Sequence, residues 1–263
     1  SPTLEELLRR RFGGGIELSM LAAVPKGSGL GTSSILAATI LGTLGDLCGL
    51  RWTQDDIVAR TLALEQMLGS GGGWQDQVGG LAGGLKLIVS APGLVQRPVV
   101  RWLPSQFVAE AIRERRLLLY YTGLTRVAHD ILGEIVRGIF LNDAGRIDTI
   151  DAIGFAADHA ADAIHRQSWE GLCEAVRRSW QLNQALDSGT NPPPVREILA
   201  RIEPWTAAAK LLGAGGGGYL LILTGDEEDA GRIRRALADA PPNPRGRFVV
   251  PSISAHGLQV TRS

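Results

Sequence analysis

The chain has 263 residues, 44% of them hydrophobic and 21% charged, with 27 basic against 27 acidic side chains. That length holds one large domain or two small ones, and a net charge of zero argues against a nucleic-acid binder, which carries a basic excess. No apolar run reaches the roughly 18–20 residues of a membrane span, and the two distant cysteines, Cys48 and Cys173, make neither a disulfide framework nor a metal site, so a cytoplasmic location is expected.

Thr3 is placed to cap a helix from Leu4 to about Phe12, with Glu5 and Glu6 in its first turn and three glycines ending it. IELSMLAAV (16–24) half alternates and reads as a strand stopped by Pro25. After PKGSGLGTSS (25–34) a helix is predicted from about Ser33 to Leu47, because Ile35, Leu36, Ile40, Leu44 and Leu47 keep helical spacing. Thr53, with Asp55 and Asp56 behind it, signals a second helix to about Leu68, broken by GSGGG (69–73). WQDQVGGLAGG follows, GLKLIVS (84–90) reads as a strand, 92–104 is interrupted by prolines, and LLLYY (117–121) is a short buried strand.

Helical patterns dominate from Val127 to Asp187, and NPPPV (191–195) punctuates them. A further helix leads to Trp205, WTAAAKLL is helix-like, and KLLGAGGGGYLLIL (210–223) is loop plus strand. Alternation in RFVVPSIS and LQVTRS predicts terminal strands. Strands and helices in no strict βαβ rhythm indicate an α+β fold. The proline stretch suggests a division near residue 114, into 1–114 and 115–263.

The stretch 25–34 has the attributes of an anion cradle. Its glycines bare the backbone amides, and a helix start behind them adds partial positive charge. Thr32, Ser33 and Ser34 can cap the helix or ligate Mg²⁺. An ordinary tight loop is the competing reading. The P-loop pattern fails because Thr32, not Lys, follows Gly31, and the spacing of Gly27, Gly29 and Gly31 is not the dinucleotide fingerprint. GAGGGG (213–218) fits that fingerprint only formally. A dehydrogenase using it needs a strand directly before Gly213, which the helix-like WTAAAKLL opposes.

Pro25, Gly27, Gly29, Leu30, Gly31, Thr32 and Ser33 resemble the second motif of the GHMP small-molecule kinases, and LLGAGGGGYLL (211–221) resembles their third. GGGWQDQVGGLAGGLKLI, YYTGLTRVAHDILGEIV and NQALDSGTNPP are similar to the L-fucokinase branch, most of all to the kinase half of bacterial bifunctional fucokinase/fucose-1-phosphate guanylyltransferases. The resemblance implies the two-lobed fold of that family, with a ferredoxin-like C-terminal lobe. It implies ATP and Mg²⁺ as cofactors and a sugar 1-kinase making L-fucose 1-phosphate. A heptose-phosphate kinase of the same superfamily is the alternative, and a non-catalytic fragment derived from such a kinase is another.

On that resemblance Asp76 is the base or orienter of the attacking hydroxyl, where a turn-forming Asp is the plain reading. Ser33 and Glu65 hold Mg²⁺, although the helical wheel puts Glu65 only at the edge of the buried side, where a surface Glu is equally ordinary. Pro25, Gly27, Ser28, Gly29, Leu30, Gly31, Thr32, Ser33 and Ser34 contact the nucleotide, as do Gly215, Gly216 and Gly217. Trp74, Arg126 and Gly218 are substrate candidates, Lys210 a phosphate contact or a surface lysine, and Asp187 and Ser188 weaker cleft candidates.

The family's first motif has no counterpart before Pro25. The expectation is therefore an incomplete N-terminal lobe, completed by a further part of the same enzyme, with a sheet edge open to another chain or a second copy. No nucleic-acid or membrane partner is expected.

Overall fold

The computed structural model describes all residues except 1, 2, 26, 70–72, 94, 95, 126–128, 142 and 263. Contacts divide the chain into one unit of residues 1–25, 31–83 and 256–263 and a second of 26–30 and 84–255.

The first unit is built on helices. α1 (Leu4–Phe12) starts at a capping box in which the Thr3 hydroxyl accepts from the Glu6 amide and the Glu6 carboxylate accepts from the Thr3 amide; it stops at Gly13 in the left-handed conformation. α2 (Thr32–Leu47) and α3 (Gln54–Met67) pack together, and the second capping box, Thr53 with Asp56, fixes the start of α3. α4 (Gln75–Leu81) closes on both. The core is Ala38, Ile57 and Leu81, with Leu41, Trp52, Val58 and Leu258 around it. The C-terminal tail completes this unit: the Leu258 amide donates to the Leu81 carbonyl at 3.0 Å, and Arg262 pairs with Asp46 at 2.7 Å.

The second unit opens with the antiparallel hairpin β1 (Lys86–Val89) and β2 (Val99–Trp102), then α5 (Gln106–Arg113). β3 (Leu117–Tyr121) follows, then α6 (His129–Phe140), α7 (Ala144–His165), α8 (Trp169–Leu186) and α9 (Pro193–Ile202). β4 (Ala208–Leu211), β5 (Tyr219–Leu223), α10 (Glu227–Ala238) and β6 (Arg247–Val249) complete it. The sheet is antiparallel in the order β4-β5-β3-β6, the ferredoxin-like arrangement. Its two faces serve two cores. Leu118, Tyr120, Leu220 and Ile222 meet Val195, Ile198, Ile233 and Leu237 of α9 and α10. Leu117, Leu221 and Leu223 meet Val108 of α5, Ile164 of α7 and Leu172 of α8. This is the period-2 alternation of a sheet covered on both sides.

Four expectations are corrected. The division does not fall near residue 114: Leu85, Leu103, Phe107 and Val108 pack into the β3–β5 core, so 84–114 belongs with the second unit. Residues 16–24 form no strand. Ile16, Leu18, Met20 and Leu21 are exposed, because among the described residues no neighbouring strand satisfies their backbone. WTAAAKLL is not helical: its Ala208–Leu211 portion pairs with Leu220–Leu223 as β4, the ladder overriding the helix propensity of three alanines. At the C-terminus β6 fulfils the strand expected in RFVVPSIS, whereas the described residues of LQVTRS, 258–262, form none.

Candidate functional site

In PKGSGLGTSS three glycines, Gly27, Gly29 and Gly31, take φ of +69, +73 and +65°, a region that side chains with a Cβ rarely enter. Gly31 is the N-cap of α2 and supplies no side-chain oxygen. α1, α3, α7, α8 and α10, by contrast, are capped by Thr3, Thr53, Asp143, Ser168 and Asp226. The first turn of α2 therefore carries partial positive charge with no side-chain cap and no acidic residue of its own. Ser33 is exposed there and Ser34 is buried.

Within the second unit, residues 27–30 lie directly on the other glycine loop. A Cβ on Gly29 would stand 2.5 Å from the Leu212 carbonyl oxygen, and one on Gly218 would stand 2.3 Å from the Ser28 carbonyl oxygen. The Tyr219 amide donates to that same Ser28 carbonyl at 3.1 Å, and the Ser28 hydroxyl, fully buried, accepts from the Leu30 amide at 3.3 Å. Two motifs about 180 residues apart thus meet backbone to backbone, which only residues lacking a Cβ permit.

The 213–218 loop connects antiparallel strands β4 and β5, so the strand-to-helix geometry of a dinucleotide fingerprint is absent. The loop is itself held from outside. The Gly216 amide donates to the Thr190 carbonyl at 2.8 Å and the Gly218 amide to the Leu124 carbonyl at 3.0 Å, while Thr122 donates to the Gly218 carbonyl from both its amide and its hydroxyl at 2.9 Å. Gly215 and Gly217 press on Thr190 and Leu124. Asp187 accepts from the Gly189 amide at 2.7 Å, capping the turn that presents Thr190, and Ser188 is exposed in it.

Within the first unit the acidic residues converge. Asp76, in the first turn of α4, sits against the head of α2: a Cβ on Gly31 would be 3.0 Å from the Asp76 Cβ and 3.3 Å from its Oδ1. Its side chain keeps contact with solvent, yet burial of the carboxyl and the neighbouring Glu65 charge raise its pKa above the ordinary carboxylate value. Glu65 is buried, 6% exposed, on the Ile57–Thr61–Glu65 stripe of α3; it is on the inner face and not at its edge. Its carboxylate accepts from the Ser34 hydroxyl at 2.8 and 3.0 Å and from the Gln77 side-chain amide.

The hydroxyl that meets Glu65 is thus Ser34, not the expected Ser33. Gln77, adjacent to Asp76 and 1% exposed, went unnoticed in the sequence, although WQDQ places it one residue on. Among the described residues its Oε1 has no hydrogen-bond partner. Ser34→Ala should cost about 1.5–3 kcal/mol in urea unfolding, the worth of a hydrogen bond to a buried charge.

Among the described residues no three His, Cys, Asp or Glu side chains cluster as a metal cage. The oxygens of Glu65, the Ser34 hydroxyl and Gln77 Oε1 suit a hard cation such as Mg²⁺ that takes its remaining ligands from phosphate and water. Trp74 is the half-buried N-cap of α4. Arg126 lies outside the described residues. Lys210 is no surface lysine: its amine donates to Ser179 of α8.

The models for the GHMP kinase N-terminal and C-terminal domains match residues 3–84 and 160–243. The L-fucokinase/L-fucose-1-P guanylyltransferase of Bacteroides fragilis is 49% identical over 99% of this chain, which covers 27% of that protein. The bifunctional fucokinase/GDP-fucose pyrophosphorylase of Arabidopsis thaliana is 37% identical over 86% of this chain, which covers 21% of it. The chain thus spans about a quarter of the length of these relatives. The galactokinase of Lactococcus lactis, solved with galactose, superposes with a TM-score of 0.65 at 14% identity, over 97% of this chain and 74% of its own. No helix among the described residues is long and apolar enough to cross a membrane.

Proposed function

The chain belongs to the GHMP kinase family, and on that premise we propose that it is the kinase part of a sugar 1-kinase converting L-fucose and ATP to L-fucose 1-phosphate and ADP. The observation that carries this reading is Asp76 against Gly31 at the uncapped head of α2, with the buried Glu65 close enough to raise its pKa. Phosphoryl transfer needs a cradle for the phosphates, charge neutralisation and a group that takes or orients the proton of the incoming hydroxyl.

The amides at the head of α2 and the α2 dipole would hold the phosphates. Asp76 accepts the proton of the anomeric hydroxyl as its oxygen bonds to the γ-phosphorus and the bond to the ADP oxygen breaks. Glu65, with Ser33 or Ser34, would hold Mg²⁺, which supplies charge neutralisation on the transferring phosphate. Trp74 offers an aromatic face to the sugar. The identity to two relatives named as fucokinases favours L-fucose over a heptose phosphate.

We propose further that this activity belongs to the chain within a protein of those relatives' length, and that the exposed apolar side chains of 16–21 seat other protein there. A panel of free sugars and heptose phosphates, assayed with ATP on the chain alone and on such an extended protein, tests both readings. L-fucose should be turned over at least tenfold faster than the other substrates, and by the extended protein. Preference for a heptose phosphate, or no phosphorylation of any sugar, would overturn the assignment.

A further inference from the structure

Lys210 has an unusual position for a lysine. It lies in β4 opposite Leu221, three residues before Gly213, and alternation puts it on the sheet face of Ala208, which packs against Leu172 and Cys173 of α8. α8 and β4 are in extensive contact, and the amine donates to the Ser179 hydroxyl of α8. An ammonium carries three N–H donors, and Ser179 takes one. One helical turn beyond Ser179, Asn183 has a buried Oδ1 with no hydrogen-bond partner among the described residues. Ser179 and Asn183 thus place polar groups one helical turn apart on α8.

The turn that follows α8 holds the glycine loop as well. Thr190, in the 188–190 turn beyond the end of α8, accepts from the Gly216 amide through its carbonyl at 2.8 Å, and its side chain and carbonyl pack on Gly215. The 213–218 loop therefore stands between two attachments, one to the turn after α8 and one to α8 itself. One is at Thr190; the other is at Ser179, through Lys210.

We propose that Lys210 is a positioning residue, tying β4 to α8 so that the 213–218 loop is held at the height at which it meets the nucleotide. The nucleotide half of this statement rests on the kinase reading above; the loop half does not. The physical argument is one of cost. Burial alone lowers the amine's pKa from 10.5 to about 8, and no charged group contributes to the shift; Ser179 from α8 and Leu221 across the sheet are its neighbours. A charge held inside the protein without an opposite charge destabilises the fold, and a methionine would fill the same space without that cost.

The sign follows directly. Between about pH 8 and 10.5 the unfolded chain binds a proton that the folded chain has lost, so stability rises with pH across that window. In Lys210→Met this rise should vanish, and the midpoint of thermal unfolding at pH 7 should be no lower than in the parent.

The decisive measurements are amide hydrogen exchange over 213–219 and the Kd of a non-hydrolysable ATP analogue, compared in the parent chain, Lys210→Met, Lys210→Arg and Ser179→Ala. Lys210→Met should exchange at least tenfold faster in the loop and bind the analogue about tenfold more weakly while unfolding no earlier. Ser179→Ala should move both readouts in the same direction by less, and it carries the test should Lys210→Met fail to fold. Arginine should restore part of both. Unchanged loop exchange together with a Kd within twofold of the parent would overturn the proposal. If the parent binds no analogue, the kinase reading fails, and the exchange result alone decides the role of Lys210.

Discussion

Asp76→Ala should lower the rate of sugar phosphorylation about a thousandfold while the Kd for an ATP analogue stays within about threefold. A positioned acid or base contributes roughly 10²–10⁴ to a rate, and Asp76 is placed beside the backbone proposed to hold the phosphates without being part of it. Its Cβ and carboxyl touch Gly31, but the amides that bear the α2 dipole belong to the residues that follow. Single-turnover kinetics separates the two effects, because loss of the base slows the chemical step and spares ATP capture. A thousandfold loss of affinity instead would make Asp76 part of the nucleotide cradle.

The pH dependence adds an independent check. Asp76 must be ionised to accept a proton, so activity falls as pH drops through its pKa. Burial, and then the Glu65 charge, place that pKa above the ordinary value of 3.8, so the acid limb of the rate profile should also lie above 3.8. Removing the Glu65 charge with Glu65→Gln should move the limb toward lower pH in whatever activity remains. A raised carboxylate pKa also means that the folded chain binds the proton more tightly than the unfolded one. Stability therefore falls as pH rises from 3.8 through the folded pKa. At pH 7 the ionised Asp76 is a net cost, so Asp76→Asn should unfold no earlier than the parent, and its inactivity cannot be ascribed to unfolding.

Gly29→Ala should weaken the ATP analogue about a hundredfold and lower stability by about 3 kcal/mol. Two penalties coincide at this position. The backbone stands at φ +73°, and the new methyl would lie 2.5 Å from the Leu212 carbonyl oxygen, a backbone atom that moves only if the 27–30 and 212–218 loops part. Gly14→Ala is the matched control. Nothing lies within 4 Å of a Cβ there and φ is not positive, so its effect should stay within about 0.5 kcal/mol. Analogue titration and urea unfolding of both variants read the contrast. If Gly29→Ala behaved like Gly14→Ala, the contact between the two glycine loops would be incidental to binding.

Much of the fold was legible because its signals are local. Thr3 with Glu6 and Thr53 with Asp56 close capping boxes that depend on spacing of three residues, and α1 and α3 begin where those spacings put them. LLLYY is β3 residue for residue, since a short apolar run between polar flanks has few other uses. α10 has a local signal too, Asp226 as N-cap followed by Glu227, Glu228 and Asp229 in the first turn. β4 was not readable: three alanines and a lysine say helix until Leu220–Leu223 offers a ladder.

The site divides along the same line. By itself the sequence determined that bare backbone stands ahead of a helix at 27–34, that a second glycine block occurs at 213–218, and that Asp76 and Glu65 are the acids with a motif around them. These are matters of residue type and short-range order, where the absence of a Cβ or the presence of a carboxyl acts at its own position. Only the tertiary structure decided that Gly29 and Gly218 exist for each other's loops, that Glu65 faces inward to Ser34 and Gln77 and not outward, and that Lys210 turns under α8 instead of toward solvent. Each of those outcomes depends on which distant backbone or side chain arrives as a neighbour. That is a property of packing between residues 12 to 190 positions apart, on which local pattern carries no information.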